Sequence, residues 1–290
     1  MSYKVDNAVI MAAGTSSRFA PLSYEMPKAL IEVKGEILIE RQIRQLHEAG
    51  INQVILVVGY RKEQFEYLKD KFGVIMVENK DYLSRNNNAS IYAVRQYLGN
   101  TYICSSDNYF SENPFESEVS DAYYAAVYAD GDTAEWCLQE DPAGYINQVT
   151  VGGRNAWYML GHAFWDGKFS RKFTEILEKV YELPETRALL WESIYMQHLG
   201  ELKLKIRRYP ENDIFEFDTL DELRMFDNSY IGDTRSEILK AAAQELRCRE
   251  ADITDIRAFR DSNNEAAGFT FFAGRDRYEY VYGTKNIKQL

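Results

Sequence analysis

Ala12-Ala13-Gly14-Thr15-Ser16-Ser17-Arg18, followed nine residues later by Pro27-Lys28, is the stretch whose reading decides the fold. It opens where the apolar run of residues 7–11, Asn-Ala-Val-Ile-Met, gives out. A strand therefore ends in small residues, and small residues let backbone N–H groups come close to a polyphosphate. Arg18 has the planar fork that grips phosphate oxygens. Lys28 is placed to neutralise charge that builds on the α-phosphorus during transfer. No G-x-x-x-x-G-K-[ST] follows the strand, so this is not a Walker A loop. A plain turn carrying two surface cations is the competing reading; the whole string with its later Pro-Lys favours a phosphate loop.

Outward from the loop, strand and helix patterns alternate. Residues 35–50 read as a helix, with Ile39, Ile43 and Leu46 at helical spacing and Gly50 as its stop. Residues 54–58 are an apolar, β-branched strand, 62–71 a charged helix, 74–77 a third strand, 90–98 a helix and 102–104 a fourth strand. This alternation predicts an α/β fold with a doubly wound, mostly parallel sheet, whose ligands sit outside the carboxyl ends of the strands. From residue 121 the texture changes. Residues 123–128, 136–139, 146–151 and 157–164 read as four strands, 168–182 and 186–199 as helices, and 202–208 as a strand, and Thr219 is a cap for a further helix. The expected organisation is a domain of residues 1–230 in two halves, 1–120 for the nucleotide and 121–230 for the acceptor, and a small α+β appendage of residues 231–290.

The net charge is −11, which argues against nucleic acid as a partner. No run of about 18 apolar residues occurs, so no membrane span is expected. Three widely spaced cysteines suggest neither a disulfide framework nor a zinc site, and together with the absence of a signal-peptide pattern they point to the cytoplasm.

The loop with Pro27-Lys28 resembles the signature of the sugar-nucleotide and cytidylyl transferase superfamily, A-A-G-x-G-x-R with a later P-K. Within it the chain looks like the bacterial CTP:phosphocholine cytidylyltransferases. The resembling pieces are residues 50–68, 86–90, 106–109, Glu135-Trp136, 164–166, Trp191-Glu192 and 214–218, within a span of about 5–228. The resemblance implies a Rossmann-like nucleotidyltransferase fold, CTP and phosphocholine as substrates, CDP-choline and pyrophosphate as products, and Mg²⁺ as cofactor. Three departures stand out. Ser16 replaces the usual glycine and is expected to fit with a negative φ. Ser105 and Ser106 stand where a second acid often precedes Asp107. Leu190 replaces an aromatic residue.

Asp107 and Asp218 each follow a strand-like run, and Mg²⁺ takes one or two carboxylates beside phosphate oxygens and water. On residues alone, a turn cap and a helix cap explain them equally well; the resemblance implies that both hold the catalytic metal. Glu216, two residues before Asp218, would share its face on a strand and serve either the metal or the acceptor's positive charge. All four tryptophans lie within residues 136–191. Aromatic faces bind quaternary ammonium groups, which makes Trp136, Trp191, Glu192 and Glu216 the acceptor candidates, against the bland alternative of core packing. Asn86, Asn87 and Ser90 open a helix and suit either a pyrimidine edge or an ordinary turn. With Ala12, Ala13, Gly14, Thr15, Ser16, Ser17 and Arg18 they form the expected nucleotide site, and Lys28, Arg18, Asp107 and Asp218 the catalytic set.

Residues 252–282 faintly resemble the first hairpin of a choline-kinase N-lobe, with too little chain after them for a kinase. Every motif lies earlier, so the block reads as a dispensable, stabilising appendage, or else as the contact surface of a homodimer. The competing functions are cytidylyl transfer to phosphoethanolamine or 2-aminoethylphosphonate, sugar-1-phosphate nucleotidyl transfer, and nucleotide sensing without turnover.

Overall fold

A computed structural model describes residues 2–262 and 266–290. Met1 and residues 263–265, which fall in the expected 1–230 domain and 231–290 appendage, lie outside the described residues. The chain divides into two compact units: Met1–Gly14 with Ile39–Glu216, and Thr15–Leu38 with Phe217–Leu290. The second unit takes in the segment that carries Arg18 and Lys28.

The first unit is built on strands β1 (Asn7–Ala12), β2 (Val54–Val58), β3 (Ile75–Glu78), β4 (Thr101–Ser105), β5 (Asn108–Phe110), β6 (Tyr123–Glu140), β7 (Ile146–Trp165), β8 (Lys205–Arg208) and β9 (Ile214–Glu216). Its helices are α1 (Leu38–Glu48), α2 (Tyr67–Phe72), α3 (Asn88–Val94), α4 (Gly167–Val180) and α5 (Trp191–Met196). Seven strands form one sheet in the order β8-β6-β7-β4-β1-β2-β3. β1 runs parallel to both β2 and β4, β2 to β3, and β6 to β8, whereas β7 is antiparallel to its neighbours β6 and β4. The apolar runs become central strands because both their faces are covered: every residue of β2 is buried.

The chain steps from β1 to β2 and β3 on one side, then returns to β4 on the other. β1 and β4 therefore bracket the switch in strand order, and their carboxyl ends open where ligands bind in such sheets. Met11 pairs with Ser105 across this point, so the loop leaving β1 and the turn bearing Asp107 start side by side.

The four strands expected between residues 123 and 164 are two, of 18 and 20 residues, paired as one long ribbon. The polar, glycine-containing segments that read as turns are carried instead by register shifts. Gly131, Gly152 and Asn155 take positive φ there, bending the ribbon without breaking its ladder.

In the second unit, α6 (Leu220–Phe226) and α7 (Glu237–Leu246) precede an antiparallel meander of β10 (Ile253–Arg260), β11 (Ala266–Ala273), β12 (Asp276–Val281) and β13 (Asn286–Gln289). Thr219 does cap α6, in a reciprocal capping box with Glu222. Among the described residues no helix is long and apolar enough to cross a membrane.

Candidate active site

At the end of β1, Ala12 and Ala13 are buried, Gly14 is exposed, and Thr15, Ser16 and Ser17 are half-buried. Tyr60 N–H donates to the Ala13 carbonyl (3.1 Å), fixing the first turn of the loop. Gly59 makes that approach possible: a Cβ there would lie 2.7 Å from the Tyr82 ring and 2.9 Å from the Ala13 oxygen. Sequence reasoning passed over Gly59, although a glycine directly after an apolar strand run was its signal.

Ser16 has φ 46° and ψ 43°. The negative φ expected for it is not what the backbone adopts: the loop keeps the left-handed conformation that glycine takes without cost, and the serine bears the strain. Arg18 is largely exposed, and its Nη1 lies 2.5 Å from Asp218 Oδ2. Lys28 is only 5% exposed, with its ammonium 5.6 Å from the Phe19 ring centroid.

Asp218 is not the helix cap, since Thr219 fills that role; the Asp218 N–H donates to Glu222 (2.6 Å) and its carboxylate faces Arg18. β9 stops at Glu216, so the alternation that would put Glu216 and Asp218 on one face does not extend to Asp218. Glu216 pairs in register with Asn108 and accepts a hydrogen bond from its amide (3.4 Å). Asp107 is half-buried in the turn between β4 and β5. Among the described residues no group of three or more His, Cys, Asp or Glu side chains is arranged to hold a metal ion. One or two carboxylates remain enough for Mg²⁺ bound with a triphosphate.

The asparagines at the start of α3 are engaged within the protein. The Asn86 amide donates to the Ala188 carbonyl (3.1 Å), and its backbone N–H to the Arg187 carbonyl (2.8 Å). Asn87 Oδ1 accepts from the Trp191 N–H (2.7 Å), capping α5 where Leu190 has no polar side chain to do so. Asn88, fully buried, donates to the carbonyls of Thr186 and Leu189. Ser90 is buried and accepts from Asn79 (3.1 Å). Asn86 and Asn87, two of the candidates for the base, and Asn88 beside them tie the segment before α5 to the start of α3.

That tie places Glu192. It is half-buried, its carboxylate accepting from the Asn87 amide (3.1 Å) and the Tyr124 hydroxyl (3.3 Å). Burial pushes its pKa up to about 7, with these hydrogen bonds opposing the rise. Burial, then Glu192 and Glu216, hold the Tyr124 hydroxyl well above its ordinary range. Burial and three acids, Glu135, Glu211 and Glu216, do the same at Tyr158. Tyr124 and Tyr158 are aromatic residues among carboxylates that sequence reading overlooked, because nothing separates them from the chain's other tyrosines. Trp191 is 1% exposed and belongs to the core: it stacks on Tyr124 (5.7 Å) and meets Trp165 edge-on (5.0 Å). Trp136, on β6, is half-buried against the same core.

A mostly parallel sheet with a small-residue loop and a carboxylate at its switch point fits a nucleotidyltransferase, and residues 8–133 match the MobA-like NTP transferase domain. The choline-phosphate cytidylyltransferase of Streptococcus pneumoniae is 36% identical over 75% of this chain and 95% of its own length. The 2-aminoethylphosphonate cytidylyltransferase of Lancefieldella rimae is also 36% identical, over 78% and 93%. The solved CTP:phosphocholine cytidylyltransferase from Streptococcus pneumoniae superposes with a TM-score of 0.74 at 35% identity, covering 78% of this chain and 99% of that one. The chain belongs to this family of bacterial cytidylyltransferases.

Proposed function

We propose that the protein transfers CMP from CTP to phosphocholine, releasing pyrophosphate and giving CDP-choline. The observation that carries the acceptor assignment is the half-buried Glu192 against Tyr124, with Trp191 stacked behind and Glu216 acting on the same hydroxyl. A quaternary ammonium group has no N–H to donate, so it favours aromatic surface with carboxylates near but not hydrogen-bonded to it. A bound cation would also hold Glu192 ionised, against the burial that favours its protonated form.

In the reaction one acceptor phosphate oxygen attacks the α-phosphorus as the bond to pyrophosphate breaks. The acceptor phosphate is already ionised near neutral pH, so positioning and charge neutralisation supply most of the catalysis. Arg18 grips phosphate oxygens and Lys28 offsets the charge developing at the α-phosphorus. Asp107 and Asp218 are the carboxylates that would hold Mg²⁺, which would draw off charge from the phosphate oxygens. Lys28→Ala and Asp107→Ala are each expected to lower kcat at least about a hundredfold in a folded protein. Near wild-type turnover in either would remove that residue from the mechanism.

Leu190, and equal identity to the 2-aminoethylphosphonate enzyme, favour a second reading in which the acceptor carries a primary amine. Pyrophosphate release measured with four NTPs against phosphocholine, phosphoethanolamine, 2-aminoethylphosphonate and glucose-1-phosphate decides between them. CTP with phosphocholine is expected to give the highest kcat/KM. A preference for the primary amines moves the assignment to the second reading, and turnover of glucose-1-phosphate alone overturns both.

A further inference from the structure

More than a fifth of this chain lies outside its matches to the two cytidylyltransferases, although those matches span 93–95% of the relatives. The sequence resemblance ends near residue 228, so the surplus includes the last block. That block shares a compact unit with Thr15–Leu38, the segment bearing Arg18 and Lys28.

A ring stack, hydrogen bonds and an ion pair join them. The Tyr24 and Tyr282 rings stack face to face, 3.7 Å apart and within 4° of parallel. Glu25 Oε1 accepts from the Ile238 N–H (3.2 Å), placing a carboxylate at the N-terminus of α7, where unpaired N–H groups and the helix dipole favour negative charge. The Tyr230 hydroxyl donates to the Glu32 carbonyl (2.6 Å). Arg235 donates to that same carbonyl (3.1 Å) and pairs with the Glu32 carboxylate (3.2 Å). Further along, the buried Arg224 guanidinium donates to the carbonyls of Tyr230, Glu250 and Ile253, fastening α6, which starts two residues after Asp218, to the base of β10.

The segment holds one helical turn, Leu22–Glu25, two three-residue 3-10 turns and a two-residue hairpin of Glu32–Val33 with Glu36–Ile37, and the part that carries Arg18 and Lys28, ahead of the hairpin, has little internal structure to hold its shape. We infer that residues 229–290 are a brace that fixes the loop of residues 15–38, with Tyr282 and Glu25 as positioning residues for Arg18 and Lys28. The inference rests on the reading of Arg18 and Lys28 as the triphosphate-handling residues. It runs against the sequence-based expectation that the block is dispensable.

The test has two readouts, applied to Tyr282→Ala, Tyr282→Phe and a chain ended after Asn228. The first is limited trypsin cleavage after Arg18, Lys28 and Lys34, followed by mass spectrometry at a temperature where thermal unfolding shows each protein folded. Lys28 is nearly buried, so cleavage after it requires the loop to open. The second is pyrophosphate release from CTP. Tyr282→Ala is expected to be cut at least about tenfold faster at these bonds and to lose about tenfold in kcat, since small misplacements of catalytic groups are costly. The acceptor KM should stay within about twofold, and Tyr282→Phe, which keeps the stack, should restore both readouts. Should the truncated chain fail to fold, the point variants carry the test. Unchanged cleavage in Tyr282→Ala overturns the brace whatever the turnover. Faster cleavage with unchanged kcat overturns the positioning role; if Lys28→Ala also turns over normally, the fault lies with the reading of the loop.

Discussion

Ser16 shows what a single residue contributes. The family pattern places glycine here, and the backbone keeps glycine's conformation although the side chain has changed. A left-handed residue other than glycine costs about 1–2 kcal/mol, while glycine's extra freedom in the unfolded chain returns about 0.5–1 kcal/mol. Ser16→Gly should therefore stabilise the protein by about 0.5–1 kcal/mol in urea unfolding, unless the hydroxyl makes a compensating contact, which a loss of stability would reveal. Glu192 contributes through its charge. Its carboxyl protonates near about 7 in the folded protein against an ordinary 4.5. At pH below 4.5 both states carry the proton and the group is neutral to stability. As pH rises toward 7 the unfolded chain releases the proton first, so stability falls across that window and is lowest above it. The cost at pH 8 is on the order of 3 kcal/mol. Glu192→Gln should abolish this slope, leaving stability near wild type at pH 5 and raising it at pH 8. Parallel pH curves for the two proteins would show that Glu192 does not titrate as described.

At the scale of elements, much of the nucleotide half was legible. β1, β2 and β4 announce themselves as short apolar runs because parallel strands covered on both faces have no polar side to show. The ribbon was harder to read. Its outer part is solvated on both faces, so β6 and β7 lose the alternation that marks a strand, and their glycines look like turns. The same limit applies to the site. The phosphate loop is a local string, whereas Tyr124 and Glu192 meet only through the fold and the asparagine ties at α3. Burial now separates two tryptophans that the sequence treated alike. Trp191 is enclosed by Trp165, Phe173 and Tyr124, so Trp191→Ala should cost about 3–5 kcal/mol in unfolding free energy. Trp136 is half-buried, and a cation–π contact is worth about 2 kcal/mol, so Trp136→Ala should raise the phosphocholine KM roughly thirtyfold with the CTP KM little changed. Equal loss of both KM values would mark a packing defect in β6 instead.

At the scale of the whole molecule, the charge and the distribution of ligands bear on how a metal arrives. The chain carries 45 acidic residues against 34 basic ones, yet the described residues contain no group of three or more metal-ligating side chains. Mg²⁺ loses its water shell reluctantly and is usually held by one or two carboxylates together with substrate phosphates, not by an all-protein cage. The Mg²⁺ proposed for the reaction should therefore enter with CTP and not reside on the free protein. Many acids spread over a surface attract a divalent ion weakly and lose it to salt, since exposed charges further apart than a Debye length of about 8 Å are largely screened. Asp218 is moreover paired with Arg18, so a metal approaching without nucleotide would have to displace a cation while offering Arg18 no phosphate in return. Calorimetric titration of Mg²⁺ into the free protein at physiological salt should show no binding tighter than about millimolar, and gel filtration should strip the metal completely. Turnover lost with EDTA should return on adding Mg²⁺, with half-saturation following the concentration of the Mg–CTP complex. Stoichiometric, micromolar binding to the free protein would mean that it assembles a metal site without the triphosphate.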